Sequence, residues 1–195
     1  MYELPTTIQI GGQSKSIRNK GDFRMVLDCF SCLNDEELDK NERIYATLMI
    51  FYDGMDSLEQ IAEFGDNLQE AVDKMFWFFN CQDNSLVQRP ASHKLIDWDQ
   101  DSQMICAAVN KVAGKEVRME PYVHWWTFMG YYMGIGESLF STVVNIRDKM
   151  VRGTKLEKHE SKFKRENPQY FVWNSKTVDQ READEWLKQV WNADK

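Results

Sequence analysis

The sequence predicts a mainly α-helical fold: a single compact helical domain with a short N-terminal β-hairpin and a C-terminal amphipathic helix. Apolar residues recur at helical spacing over most of the chain, and a glycine turn near the N-terminus separates two short strand-like runs. With 195 residues, 43% of them hydrophobic, the chain can bury a core without metals or disulfides. We assign residues 1–151 to the helical domain, with the hairpin in 1–20, and residues 152–195 to a charged linker and the C-terminal helix.

The hairpin is predicted by two short runs, Thr7 to Ile10 and Lys15 to Arg18, that flank the turn Gly11-Gly12-Gln13. Ile8 and Ile10 lie on one face of the first run, as expected for a half-buried strand. Because an isolated hairpin is only marginally stable in water, we expect it to dock on the helical body or to join a neighbour's sheet.

Four helices are expected to follow the hairpin, because apolar residues recur there every three or four positions. Asp22 is a predicted N-cap for the first, and Ser57 with Gln60 forms a predicted capping pair for the third. Their predicted ranges are 23–33, 36–52, 58–64 and 66–80. Residues 81–96 are polar and lack a clear period, which indicates an exposed loop.

Three acids at alternate positions, Asp97, Asp99 and Asp101, precede a predicted helix over 104–113. Their spacing is that of the first half of a calcium loop, but the sixth position is Ser102 rather than glycine and the twelfth is Ala108 rather than glutamate. Acids before a helix are also explained by capping and by the helix dipole, which is the interpretation we favour.

The most specific stretch is YVHWWTFMGYYMGIGESLFSTVVNIR, residues 122–147. Apolar residues at helical spacing predict a buried helix there, with Pro121 in its first turn: Trp125, Phe128, Met129, Tyr132 and Met133. Gly130 and Gly134 lie one turn apart, which would allow another backbone to approach, and a further helix is expected over 137–150. His124, beside Trp125 and Trp126, is expected to be a packed residue hydrogen-bonded to the backbone.

Composition excludes several classes of function. The net charge is −7, and the acidic excess lies in residues 1–151, while residues 152–195 are slightly basic. Binding to nucleic acid relies on clustered Lys and Arg, so we expect no nucleic-acid partner. No apolar run reaches the roughly 20 residues of a membrane span and the first residues do not form a signal peptide, so we expect a cytosolic protein without membrane contact.

An enzymatic or metal-dependent function is disfavoured. Cys29 and Cys32 have the spacing of a zinc half-site or a redox pair, but no second ligand pair accompanies them, and they fall within a helical apolar pattern. We therefore expect buried structural thiols. An enzyme would require His124 to converge with Asp97, Asp99 or Asp101, and no nucleophile is placed beside them. We expect no catalytic residue, no metal and no cofactor.

The last forty residues change character. Residues 155–167, KLEKHESKFKREN, are highly charged and predict a solvated helix or linker. Beyond Thr177, an apolar stripe predicts an amphipathic helix that folds back on its own domain or is offered to a partner: Val178, Trp186, Leu187, Val190 and Trp191.

Three segments together resemble the bacteriophage gene-product-fifteen family, small proteins of tailed phages and prophages of Gram-positive bacteria. They are LPTTIQIGGQSKSIRNKGDFR, IDWDQDSQMICAAV and YVHWWTFMGYYMGIGESLFSTVVNIRDK. The family's aromatic motif corresponds to His124, Trp125, Trp126 and Phe128. The chain departs from the family at Met104-Ile105-Cys106 and Val109, where bulky aromatics are more usual, and its tail beyond Lys155 is not family-specific.

The resemblance implies a non-enzymatic tail assembly protein of the host cytoplasm, a chaperone that binds the tape-measure protein during tail morphogenesis. An acidic helical protein with aromatic grooves could cover the apolar stripes of that long helical partner. The hypothesis assigns the groove-bearing core to His124, Trp125, Trp126, Phe128 and Tyr132, and the binding helix to Trp186 and Trp191. The alternative is a structural virion subunit of the tail or connector that self-associates in the particle.

Overall fold

The computed structural model describes residues 3–82 and 94–173, and its folded elements confirm the predicted mainly helical class with an N-terminal hairpin. Contacts divide the chain into two compact units, Met1–Val144 and Asn145–Lys195. Within the described residues, no helix is both long and apolar enough to cross a bilayer. The elements are β1 Thr7–Ile10, β2 Gln13–Ser16, α1 Phe23–Leu33, α2 Lys40–Phe51, α3 Leu58–Ala62, α4 Leu68–Phe79, α5 Ser102–Ala113, α6 Trp125–Met133, α7 Leu139–Val151 and α8 Lys158–Glu166.

The hairpin turn contains two residues rather than three, so β2 begins at Gln13, two positions before the predicted Lys15. Gly11 and Gly12 have φ values of +54° and +78°, the left-handed conformation that a two-residue hairpin turn requires. Ile8 and Ile10 of β1 are buried, and the Gly11 N–H donates to a carboxylate oxygen of Glu70 on α4 at 2.9 Å. The hairpin therefore docks on its own helical body, which is one of the two outcomes predicted from the sequence.

Capping residues account for where the first helices begin. Asp22 accepts a hydrogen bond from the backbone N–H of Arg24, so α1 begins at the predicted Phe23, and it also ends at the predicted Leu33. The second helix begins at Lys40, four residues after the prediction, because Asp39 and Glu42 form a complete capping box there. Ser57 caps α3 through the N–H of Gln60 at 3.4 Å.

The core of the first unit is aromatic. Phe51 of α2 contacts Phe78 and Phe79 of α4 edge-on, with ring centroids 5.3 and 5.4 Å apart. Phe30 of α1 contacts Phe79 and also Trp125 of α6. Edge-to-face pairs of this kind stabilise a core beyond the burial of their area, and here they tie four helices to one centre.

In the second unit, the charged stretch predicted as a solvated helix or linker forms α8. Glu160 on α8 accepts hydrogen bonds from Lys149 Nζ at 2.6 Å and from the backbone N–H of Glu157, which closes a capping box. Phe163 contacts Phe171 edge-on at 6.2 Å, so this segment also carries apolar contacts of its own. The predicted C-terminal amphipathic helix, with Trp186 and Trp191, lies outside the described residues.

Candidate protein-binding site

The aromatic helix α6 begins at Trp125, with His124 as its N-cap. His124 Nδ1 accepts from the backbone N–H of Trp126 at 3.1 Å, and His124 Nε2 donates to the carbonyl of Pro5 at 3.0 Å. This pair of bonds requires the neutral ring with its proton on Nε2. Burial lowers the pKa of His124, which also favours the neutral form, although the Pro5 bond and Asp22 act in the opposite direction.

Pro121 does not lie in the first turn of α6, so that part of the prediction is wrong. It precedes the helix by four residues, in an extended segment where the backbone bridges α1. The N–H of Val123 donates to Asp22 at 2.9 Å, and the N–H of Phe23 donates to the carbonyl of Val123 at 2.9 Å. The hydrogen bonds of this bridge, together with the His124 side chain, set where the helix begins.

Two adjacent indoles of α6 bind the C-terminal end of α4. Trp125 Nε1 donates to the carbonyl of Phe79, and Trp126 Nε1 donates to the carbonyl of Phe78, both at 2.9 Å. The last carbonyls of a helix have no partner within the helix, so side-chain donors are needed where that end is buried. The Trp125-Trp126 pair therefore fixes α6 against α4.

A charged network joins the start of α1 to the segment before α6. The guanidinium of Arg24 bonds both carboxylate oxygens of Asp22 at 3.0 Å and reaches three backbone carbonyls. The shortest of these bonds, 2.7 Å, is to Glu120. Because Asp22 also accepts from the N–H of Val123, one buried carboxylate binds both backbone segments that meet here, the start of α1 and the segment before α6.

The remaining motif residues pack inside the first unit. Phe128 stacks on Phe23 with parallel rings 4.5 Å apart. Tyr132 lies 5.4 Å from Trp98, and its burial, together with Asp101, raises the pKa of Tyr132 to about 12. Trp98 also contacts Trp125, so it is a member of the aromatic cluster that the sequence interpretation did not assign. The sequence signal that could have identified Trp98 is an aromatic residue flanked by two acids, Asp97 and Asp99.

The acids around Trp98 form a turn rather than a cap for α5. Asp97 accepts hydrogen bonds from the N–H groups of Asp99 and Gln100, at 2.9 and 2.8 Å. Asp101, the residue before α5, makes no side-chain capping bond to that helix but accepts from the N–H of Asp97. The acids therefore form a turn around Trp98, and the lack of a side-chain cap from Asp101 corrects the capping part of the interpretation, while the helix-dipole part stays a prediction.

Cys29 and Cys32 are free thiols on α1. Cys29 is fully buried against Met25, whose Sδ lies 3.8 Å from Cys29 Sγ, and burial strongly raises the pKa of Cys29. Cys32 is half-buried and contacts the carbonyl of Arg43. Cys29 thus has the environment expected for a structural thiol.

Most of the predicted groove residues are interior. His124, Trp125 and Phe128 are each about 1% exposed, while Trp126 and Tyr132 are half-buried. Both ring nitrogens of His124 are bonded to backbone groups rather than to the acids at 97–101. These residues can shape a binding surface, but only Trp126 and Tyr132 present part of a side chain on it.

Exposed apolar side chains occur at the adjoining ends of α5 and α6 and at the start of α7, and we call this set the α5–α6 patch. It consists of Val112 (40% exposed), Met133 (70%), Gly134 and Leu139 (44%). A Cβ atom on Gly134 would lie 3.0 Å from Val112 Cγ1, and Lys111 Nζ reaches the carbonyl of Glu137 at 3.4 Å. These contacts bring the three helix ends together.

One expectation about α6 is wrong at this surface, and a second is met by no contact among the described residues. Met133 was predicted to be buried and is instead among the most exposed apolar side chains that the structure describes. Gly130 and Gly134 were expected to let another backbone approach, but Gly130 faces open space and Gly134 faces a valine side chain. The end of α6 therefore packs against α5 through Gly134 and Val112 and leaves Met133 exposed.

Comparison with families of known proteins assigns the chain. A family model described as Bacteriophage Gp15 protein matches residues 1–171, which include all three segments of the resemblance. The chain belongs to the Bacteriophage Gp15 protein family. A search of curated proteins and a search of solved structures each found no match. As a member of the Gp15 family, it is a phage structural or assembly protein whose interactions are with other phage proteins.

Proposed function

We propose that this Gp15-family protein is a non-enzymatic tail-assembly chaperone that binds the tape-measure protein in the host cytoplasm. The observation that carries the proposal is the α5–α6 patch, whose side chains Val112, Met133 and Leu139 are each exposed on an acidic protein. Groups of exposed large apolar side chains are typical of protein-binding surfaces.

The patch suits a helical partner. Before tail subunits assemble round it, a helical tape-measure protein would expose an apolar stripe. Binding to apolar side chains of the chaperone would shield that stripe from water. Met133 can adapt its flexible thioether chain to different side chains along such a stripe. The net charge of −7 would help to keep the complex soluble, because like-charged complexes repel each other.

The buried aromatic residues have an indirect role in this proposal. Trp125 and Phe128 hold α6 against α4 and α1, and this contact fixes the direction in which Met133 projects. Trp126, half-buried with its ring 5.5 Å from that of Trp77, extends the apolar surface of α6. Trp186 and Trp191 are proposed to present or regulate a binding helix.

The test is co-expression with the tape-measure protein of the same phage, followed by size exclusion with light scattering. We expect a soluble stoichiometric complex with the wild-type chain. Met133→Glu places a charge in the patch and should weaken the complex by about tenfold or more, as expected for a central contact residue. The matched control is Leu58→Glu, since Leu58 is 59% exposed on α3 and outside the patch.

Equal effects of the Met133 and Leu58 variants would contradict the assignment of the patch, and an insoluble partner would contradict the chaperone function. Truncation at Lys155 tests the tail separately, because it removes Trp186 and Trp191 while leaving the patch intact. Loss of the complex on truncation would place a further contact in the tail.

A second candidate function, a structural subunit of the virion, is favoured by one observation: β1 has an exposed outer edge. The two candidates differ in where the protein is found. Purified particles should lack a chaperone and should contain a structural subunit in multiple copies. Quantitative mass spectrometry of washed virions distinguishes these outcomes.

A further inference from the structure

The outer edge of β1 contains two residues whose backbone groups point away from β2. The N–H of Ile17 donates to the carbonyl of Thr6 at 2.9 Å, which makes this a bonded pair of the ladder. Bonded pairs alternate along an antiparallel ladder, so Thr7 and then Gln9 direct their N–H and C=O groups outward. Both residues are exposed.

Hydrogen bonds close this edge at both ends. The carbonyl of Pro5 accepts from His124 Nε2 at 3.0 Å, and the N–H of Gly11 donates to Glu70 at 2.9 Å. Thr7 and Gln9 lie between these two ends. Within residues 3–82 and 94–173, no hydrogen bond reaches their outward N–H and C=O groups. The edge is therefore open over the length of one short strand.

β1 is a short strand, which by itself limits pairing at its edge, but the other features that normally prevent an edge strand from pairing are missing from it. Charged side chains, proline, bulges and covering segments are the usual devices. From Thr6 to Ile10 the sequence is TTIQI, without charge or proline, and its register with β2 is regular. The outer edge of β2 differs, because Asp53 covers one end of it: the N–H of Asp53 donates to the carbonyl of Ser16 at 3.0 Å.

We propose that β1 pairs antiparallel with β1 of a second copy of this chain, which joins two hairpins into one four-stranded sheet. Thr7 of each copy lies opposite Gln9 of the other, and the two Ile8 residues face each other on the two-fold axis. In this register, each Thr7–Gln9 pair exchanges two backbone hydrogen bonds. Sheets of three or more strands are also far more stable than an isolated hairpin.

A second copy is the occupant that we assign to the edge. The open segment lies between the bonded groups of Pro5 and Gly11, so only Thr7 to Gln9 can pair, and the two-fold register uses the same three residues of each copy. A two-fold contact places the same surface on both partners, so each free donor of one copy meets a free acceptor of the other. The facing side chains are uncharged, so no like-charge repulsion opposes the pair.

This inference is independent of the proposed chaperone function, because the hairpin edge and the α5–α6 patch are different surfaces. Its experiment uses the full chain alone. Sedimentation velocity over a range of concentrations should show a monomer–dimer equilibrium. Amide hydrogen exchange should show protection of Thr7 and Gln9 that rises with protein concentration.

Charge variants test the register. In the double variant Thr7→Lys with Gln9→Lys, like charges face each other across the contact, and the dissociation constant should rise about tenfold. In Thr7→Lys with Gln9→Glu, opposite charges face each other and dimerisation should be retained. The control Ser14→Lys with Ser16→Lys adds the same charge to β2, away from the contact, and should retain the dimer.

Three results would overturn the proposal. The first is a chain that stays monomeric at every concentration. The second is a dimer in which the exchange of Thr7 and Gln9 is independent of concentration, or which the double lysine variant leaves unchanged. The third is protection of Thr7 and Gln9 only when the tape-measure protein is added, which would assign the edge to a strand of that partner.

Discussion

Trp125 Nε1 lies 2.9 Å from the carbonyl oxygen of Phe79, the last residue of α4, and donates a hydrogen bond to it. The bond joins residues 46 positions apart in the chain. Trp125 is about 1% exposed, so water cannot replace the indole as donor. One side chain thus supplies both apolar contact and the polar group that the end of α4 needs.

Replacing Trp125 with Phe should destabilise the protein by about 2–4 kcal/mol. The change leaves the Phe79 carbonyl without its donor, which costs about 1–3 kcal/mol, and it removes part of a buried ring system. Urea unfolding followed by circular dichroism measures the loss. The matched variant Trp126→Phe should cost less, because Trp126 is half-buried and the Phe78 carbonyl keeps the N–H of Cys81 as a donor. Equal losses would contradict the role of the Phe79 bond.

Gly21→Ala should be one of the most damaging single substitutions, with a loss of about 3 kcal/mol or more. Gly21 has φ +78°, and an added Cβ would lie 2.6 Å from Phe78 Cζ and 3.1 Å from His124 Nε2. Gly12 has the same φ of +78° but nothing within 4 Å of its Cβ position. Gly12→Ala therefore reports backbone strain alone, about 1 kcal/mol. Thermal unfolding of the two variants separates strain from steric overlap, and similar losses would show that the overlap is relieved cheaply.

His124 should make stability fall in mildly acidic solution. Burial holds the pKa of His124 below its unfolded value of about 6.5, so the unfolded chain binds a proton more readily than the folded one. This contribution to stability is full above about pH 6.5 and is lost as the pH falls towards the folded pKa. Chemical unfolding at pH 7.5 and 5.5 measures it.

The control is His124→Asn, which keeps an N-cap side chain but cannot titrate. Its free energy of unfolding should fall less than that of the wild type between the two pH values, although it should be lower at pH 7.5. Parallel pH profiles of the two proteins would show that His124 is not the titrating group.

Arg147→Lys should loosen the segment around Tyr170 in the second unit. Both Nε and one terminal nitrogen of Arg147 donate to the Tyr170 carbonyl, at 2.9 and 2.6 Å, and the guanidinium lies 4.3 Å from the Trp173 ring centroid. Lysine has neither the fork nor the flat stacking face, so about 1–2 kcal/mol of local stability should be lost. Faster amide exchange in residues 168–173 is the expected result.

Arg152→Lys is the comparison for this variant. Arg152 pairs with Asp148 on the exposed side of α7, and a surface ion pair contributes little to stability. Exchange in residues 168–173 should be unchanged in that protein. A similar increase in both variants would indicate a general effect of losing an arginine in this part of the chain.

Local patterns predicted the elements that local interactions determine. Asp22 begins α1 because its carboxylate bonds an N–H only two residues away, and the Gly11-Gly12 pair turns the hairpin because both residues adopt positive φ. The start of α2 was missed by four residues, since both Glu36 and Asp39 precede apolar periodicity and only the capping box at Asp39 decides between them.

The sequence by itself determined the helical class, the hairpin, the first cap and the family resemblance, because each depends on residues close together in the chain. Tertiary structure decided which aromatic residues are interior and which surface remains exposed. Trp125 finds its acceptor on α4, and Met133, the last residue of α6, is left exposed. Helical spacing places both residues on one stripe, but burial also depends on how far the neighbouring helices extend, and contacts between distant segments set that length.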